Sequence, residues 1–361
     1  MSRLGAGTAC MGGLPVVALL LAVAVLAGCT PATRSAAAAD VSVTEPPQAP
    51  ACDDAQRLDC IATQTETAIV IRNTRLLLSD AAVFDVESLA GTLVPVDAAQ
   101  PTVDLGTPDS FGIRVHTGRI RLSADQLQHL MNDRVFAGPN ARVRRLTIRT
   151  DTNRLSLSGQ FLRRGWVNFT LAGPVRITGA HTLAVHADSL SVDGQSAQQL
   201  MTAAHLLLSD ILSLNTQAVS VRGNDLLLDV PAMMPPPALD LTIHATELDS
   251  RGLTLVLADR QNRPATARPL VATDTYVLLH GGKLRLGPLH LPDPRVELLP
   301  LEAALDAAPN NHTARATRLA LDLPNYRDQL ARTTISLRSP HTHPTFVVRL
   351  PDPESTTRAS P

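Results

Sequence analysis

The sequence predicts an α+β protein dominated by antiparallel sheet, and three observations carry that expectation. Several segments alternate apolar and polar residues with period two, two segments space their apolar residues as helices do, and Gly, Pro, Asn and Asp punctuate the intervals. An export signal and a low-complexity stretch come first, so the folded part starts well inside the chain.

At the N-terminus Arg3 precedes the apolar run Leu14–Leu26, and Leu26-Ala27-Gly28-Cys29 closes it with small residues. That is the layout of a secretory signal, and the run is too short for a membrane span. The tetrad resembles the lipobox of bacterial lipoproteins, which implies a signal peptide over 1–28, acylation of Cys29, and Cys29 as first mature residue. The alternative is an ordinary signal peptide cut near Ala39, with Cys29 incidental. Thr30, where an Asp is absent, is similar to enterobacterial lipoproteins sorted to the outer membrane. The expected location is the cell envelope, lipid-anchored and facing the periplasm.

Residues 29–66 read as a disordered tether of Ala, Ser, Thr and Pro, too polar to order itself. Within it Cys52 and Cys60 form an even pair in an exported chain and read as a disulfide. A zinc site is the rival reading, but no His stands nearby.

Residues 67–260 read as the main domain. Arg145–Arg149 and Leu155–Ser158 alternate on either side of Asp151-Thr152-Asn153, a hairpin, and Val167–Leu171, Leu183–Ala187, Val219–Val221 and Leu239–His244 repeat the alternation. Ser123-Ala124-Asp125-Gln126 has the form of a capping box, with Leu127, Leu130, Met131 and Val135 at helical spacing behind it. A longer helix is expected from Ser196 to Leu214, with Leu200, Ala204, Leu207, Leu208, Ile211 and Leu212 on one face. Pro231–Pro237 must be a loop. Residues 261–351 read as a β-rich C-terminal region, either a separate domain or more of the same sheet, with Gly281-Gly282 as a hairpin turn. Residues 352–361 read as a frayed tail.

Composition excludes some partners. The net charge is −1, 44% of residues are hydrophobic, and only 2% are aromatic. Such a chain has no field to steer it onto nucleic acid. Basic residues other than Lys283 are Arg, which reads as the codon bias of a GC-rich genome. The core must be aliphatic.

The order of elements from Ile113 to Leu257 resembles uncharacterised bacterial envelope domains related to the tubular lipid-binding superfamily, whose best-known members are the bactericidal permeability-increasing-like proteins. The residues that carry the likeness are helix Ser123–Phe136, the hairpin through Leu146 and Leu157, Val175–Gly179, helix Ser196–Leu214, Val219–Val230 and the Pro-rich loop before Leu239. The resemblance implies a strongly curved antiparallel sheet wrapped around a long helix, with an apolar groove for acyl chains. The groove lining would be Leu146, Ile148, Val167, Phe169, Leu200, Ala204, Leu207, Leu208, Ile211, Leu241 and Ile243. An aliphatic interior could be left underfilled, and a lipid tail would gain about 0.8 kcal/mol per buried methylene. The same residues could equally fill a dry core.

Catalytic signals are weak. No Gly-x-Ser-x-Gly elbow or phosphate loop occurs. His341-Thr342-His343 lies between prolines and reads as a surface loop, His181 and His186 should face opposite ways, and His205 should sit in or beside the core. The expectation is a non-enzymatic envelope lipoprotein, without cofactor or metal, that binds or carries a lipid or acylated glycolipid. The alternative is a scaffold lipoprotein that docks an envelope protein partner through a dry-cored module.

Overall fold

The computed structural model describes residues 66–258, 268–270, 272–300, 319–338 and 345–350. The export signal, Cys29, Cys52, Cys60, His341–His343 and the tail from 351 lie outside the described residues.

Alternation builds the first hairpin. β1 (Thr67–Ser79) and β2 (Ala82–Pro95) pair antiparallel, and along β2 the side chains of Ala82, Phe84 and Val86 are buried while Val83, Asp85 and Glu87 are half-buried. After the short β3 (Val103–Asp104), β4 (Phe111–Leu122) lies along the other side of β2. Helix α1 (Ala124–Leu130) follows. Its Ser123 and Gln126 form the reciprocal capping box: Gln126 N–H donates to Ser123 Oγ at 3.2 Å, and Ser123 N–H to Gln126 Oε1 at 2.7 Å.

β5 (Val143–Asp151), β6 (Arg154–Leu162) and β7 (Trp166–Gly173) then run as a meander. β8 (Val175–Ile177), β9 (Thr182–His186), β10 (Ser189–Val192) and β11 (Gln195–Ser196) lead to helices α2 (Gln198–Ala204) and α3 (Leu208–Ile211). Next come β12 (Val219–Arg222), β13 (Asp225–Asp229), the one-turn α4 (Val230–Met233), β14 (Ala238–Asp240), β15 (Ile243–Asp249) and β16 (Gly252–Ala258). The C-terminal region contributes β17 (Tyr276–His280), β18 (Lys283–Leu286), β19 (Leu289–Pro292), β20 (Arg295–Pro300), β21 (Leu319–Asp322), α5 (Tyr326–Ala331), β22 (Thr334–Arg338) and β23 (Thr345–Leu350).

Among the described residues these strands form four sheets. The largest has eleven strands in the order β15-β16-β4-β2-β1-β17-β20-β23-β22, with β14 beside β4 and β21 beside β1. The C-terminal region therefore continues the sheet of the preceding segment, through β17 on β1. The other sheets are β11-β10-β7-β6-β5, β12-β13-β9-β8 and β19-β18-β3. One aliphatic core draws side chains from all four, including Ile71, Leu146, Leu183 and Leu284. A smaller cluster with Ala68, Val70 and Leu278 lies on the opposite face of the large sheet, so both faces of β1 are buried where it pairs with β17.

The α+β expectation is overturned. Strand accounts for 57% of the structure and helix for 14%, in short pieces, so no sheet wraps around a long helix. The feature that carried the resemblance, a helix over Ser196–Leu214, breaks in the middle. Its first part ends at His205, which takes a left-handed conformation with φ +53°, while Leu206 N–H reaches back to Met201 O at 2.8 Å. That is the hydrogen bond of a Schellman stop. A new turn starts at once, because Leu207 N–H donates to Asp210 Oδ2 at 2.8 Å and Leu208 N–H to Asn224 Oδ1 at 3.0 Å. Two side chains thus supply acceptors that a continuous helix would have taken from its own backbone.

Gly281-Gly282 is also not a hairpin turn. β17 with β18 and β19 with β20 form one long hairpin in a single register, His280 opposite Arg295 and Lys283 opposite Pro292, and its turn is at Gly287-Pro288. The glycine pair is a kink inside it, where Gly282 has φ +66° and a Cβ would meet Thr67 Oγ1 at 2.5 Å.

Candidate functional site

The site is built where α1 changes pitch. Past Leu130 the backbone widens into a π-type turn over Met131–Val135, and Phe136 N–H donates to Met131 O at 2.8 Å. Such wide turns recur at functional sites. The turn is held on both sides. Asn132 Nδ2 donates to Leu146 O at 2.7 Å while its Oδ1 accepts from Leu146 N–H at 2.9 Å. Arg134 donates to Met233 O at 3.2 Å and Met234 O at 3.0 Å, tying the turn to the corner after α4.

The loop that follows, Val135–Arg142, faces the segment Ser209–Arg222 across an open cleft of about 860 Å³. That second wall is itself fixed: Val221 N–H donates to Leu214 O at 3.0 Å, and Thr216 Oγ1 both donates to Val219 O and accepts from its N–H at 2.9 Å. The floor is apolar, with Phe136, Leu212 and Leu214. Arg142, Arg222 and Asn140 bring polar groups to its walls. The same three floor residues border an internal apolar space of about 20 Å³, whose other walls include Met131, Leu146 and Phe169. Phe169 packs edge-to-face on Phe161, ring centres 5.9 Å apart.

Most of the groove residues expected from the sequence converge on one core. Leu146, Ile148, Phe169, Leu208, Leu241 and Ile243 are buried there, and Val167 and Ile211 pack against it half-buried. They fill the interior. Besides the space beside Phe169, Leu241 borders an all-apolar void of about 30 Å³ against the large sheet, which is room for about one water. Ala204 and Leu207 are on the surface, Leu207 at 44% exposure, because the helix that should have turned them inward ends at His205. The side chain of Leu200 lies outside what is described.

Sequence reading missed Phe136 and Leu214. The available signal was one of the six Phe of an aromatic-poor chain standing just before Gly138-Pro139.

Three of the histidines considered from the sequence lie among the described residues. His181 Nδ1 is 3.1 Å from Asp229 Oδ2 and His186 Nδ1 2.7 Å from Asp225 Oδ1, while His205 is exposed and not in the core. Among the described residues no group of three or more His, Cys, Asp or Glu is placed to hold a metal, and no helix is long and apolar enough to cross a membrane.

Comparison with protein-family models, curated proteins and solved structures finds no match to this chain.

Proposed function

We propose that the protein is an envelope lipoprotein, anchored through Cys29, that binds an acyl-bearing lipid without chemically altering it. The observation that supports this reading is the sharing of Phe136, Leu212 and Leu214 between the open cleft and the apolar space beneath it. A cleft of about 860 Å³ falls in the range of sites that take small ligands. A tail lying on its floor would gain about 0.8 kcal/mol for each methylene withdrawn from water, less the cost of ordering it. Arg142, Arg222 and Asn140 would meet the headgroup. The binding place is thus the cleft between two loops and not the interior of a sheet.

Native mass spectrometry of the chain from residue 30 onward tests this. The expected result is one retained lipid per chain, lost in Ser213→Trp, whose indole would occupy the cleft that Ser213 lines. A wild-type protein that takes up no lipid from mixed vesicles sinks the reading.

A second reading is supported by the packing: interior spaces of about 30 and 20 Å³ describe a dry core. On that reading the protein is an interaction lipoprotein, and it would capture an envelope protein with no lipid bound and with Ser213→Trp indifferent.

A further inference from the structure

A second cleft, of about 640 Å³, opens between the β18–β19 turn, the loop after β3, and α5. Its walls are mainly apolar, with Leu286, Leu289, Leu330 and Ile335, and two guanidinium groups, Arg285 and Arg327, line it as well. Asp104 is the one acidic residue lining it among the described residues, and its carboxylate is already engaged. Oδ1 accepts from Gly106 N–H at 2.9 Å, while Oδ2 accepts from Thr107 Oγ1 at 3.3 Å and lies 3.7 Å from Arg285 Nη1. Arg285 Nε also donates to Gly287 O at 3.0 Å, which fixes that guanidinium across the turn. Arg327 lies against Gly106, where a Cβ would come 3.3 Å from its Nε, and it has no hydrogen bond or ion pair among the described residues. Two positive charges against one negative leave the described lining of the cleft with a single net positive charge.

Tyr326 supplies a second, independent sign. Its side chain is 1% exposed and lines the same cleft, yet among the described residues its buried hydroxyl has no hydrogen-bond partner. Buried hydroxyls in folded proteins are nearly always paired. Burial, and then the nearby Asp104 charge, push its ionisation well above the usual tyrosine range, so it remains an O–H donor. An apolar cleft with one excess positive charge and one donor lacking an acceptor is complementary to an amphiphile with a singly charged, oxygen-bearing head.

We propose that this cleft binds the carboxylate end of a fatty acid, the head between Arg285 and Arg327, the alkyl chain on Leu286, Leu289, Leu330 and Ile335, with the Tyr326 hydroxyl, closed to solvent as the side chain stands, turning outward to donate to the head. This site is separate from the cleft at Phe136 and does not depend on the reading of that one.

The test is titration of the full chain with laurate, carried out in the Ser213→Trp background so that the first cleft is blocked. Laurate should bind at least about tenfold tighter than dodecanol, which has the same tail and no charge. Tyr326→Phe should weaken laurate by about tenfold, the scale of one hydrogen bond to a charged group, without lowering thermal stability, since the hydroxyl has no partner to lose. Arg327→Gln should abolish the preference for laurate over dodecanol. Equal binding of laurate and dodecanol overturns the proposal, as does wild-type affinity in both variants. Dodecyl phosphate binding more than tenfold tighter than laurate would overturn the assignment of the head as a carboxylate. Loss of lipid in the native mass spectrum with these results intact would sink only the first cleft.

Discussion

Replacing Asn132 by Ala should destabilise the protein by about 2–3 kcal/mol, because its amide stands in for a missing strand. β5 is the outer strand of its sheet, and its register with β6 shifts between Arg144 and Thr147. Arg145 at that shift has φ +52°, a bulge that leaves the Leu146 backbone without a strand partner. Asn132 closes both groups at once, Leu146 N–H at 2.9 Å and Leu146 O at 2.7 Å, and Gln128 one turn earlier accepts from Ile148 N–H at 3.2 Å. Leu146 is 4% exposed, so water cannot readily take over. Two net hydrogen bonds contribute about 1 kcal/mol each, and an orphaned buried backbone group costs about 1–3 kcal/mol; because Asn132 is half-buried, the lower part of that range applies. Urea unfolding followed by circular dichroism reads the loss, and amide exchange at Leu146 localises it. Asn132→Asp keeps the acceptor for Leu146 N–H but turns a carboxylate towards Leu146 O. It should be at least as damaging as Ala at pH 7; a carboxylate facing a carbonyl has its folded-state value raised, so the loss should recover as pH falls through that raised value and be complete near the ordinary Asp value of about 4, where a protonated carboxyl can donate. A loss below about 0.5 kcal/mol for Ala, or no acid recovery for Asp, refutes the strand-substitute argument.

Two other outcomes can be checked in the same way. Gly282→Ala should destabilise by more than about 1 kcal/mol in urea unfolding, because its φ is +66° and the new Cβ would press on Thr67 Oγ1 at 2.5 Å and Glu66 O at 2.7 Å. Arg119 joins Glu87 and Glu247 across three strands, and its hydrogen bond holds the Glu247 carboxyl below its ordinary range. A depressed folded-state value means that this contribution is complete above the ordinary Glu range and disappears as pH falls through the folded one. Thermal melts of Glu247→Gln should therefore lie slightly below wild type at pH 7 and low salt, with the gap closing in 1 M salt and narrowing steadily as pH falls below the ordinary Glu range; a gap unchanged by both salt and acid contradicts the ion-pair origin.

The parts that were legible in the sequence are those set by neighbours in the chain. Ser123 and Gln126 are three residues apart and cap α1 as their types require, and the β5–β6 hairpin closes around Asp151–Asn153, with Asn153 at φ +55°. In each of the failures a partner far along the chain takes part. The apolar spacing over Ser196–Leu214 suits a helix, but Asn224 claims the Leu208 amide from sixteen residues away. Gly281-Gly282 has turn composition, yet the chain runs through it as a kink because β20 continues the pairing and Thr67 Oγ1 donates to Gly281 O at 3.1 Å. Local periodicity could not tell whether the C-terminal region is a separate sheet. The answer lies in Ile69 pairing with Leu279, which no pattern within either segment encodes.

The same distinction explains where the residues expected to line a groove come to lie. Leu146 and Phe169 point inward because strand alternation compels it, and they do border the apolar space. Alternation cannot say whether an inward face is covered. Here it is, by the π-type turn and by the segment after α3, whose side chains Phe136, Leu212 and Leu214 close the space on one side and floor the open cleft on the other. Core residues such as Leu146, 4% exposed, lie on the inner side of that cover. The frame around that cover is stiff: Asn132 and Arg134 hold the turn by backbone hydrogen bonds on either side of it, and Val221 and Thr216 hold the opposite wall. Phe136, Leu212 and Leu214 are therefore the residues through which a change on the cleft floor would be felt by the core behind it, because each packs against both.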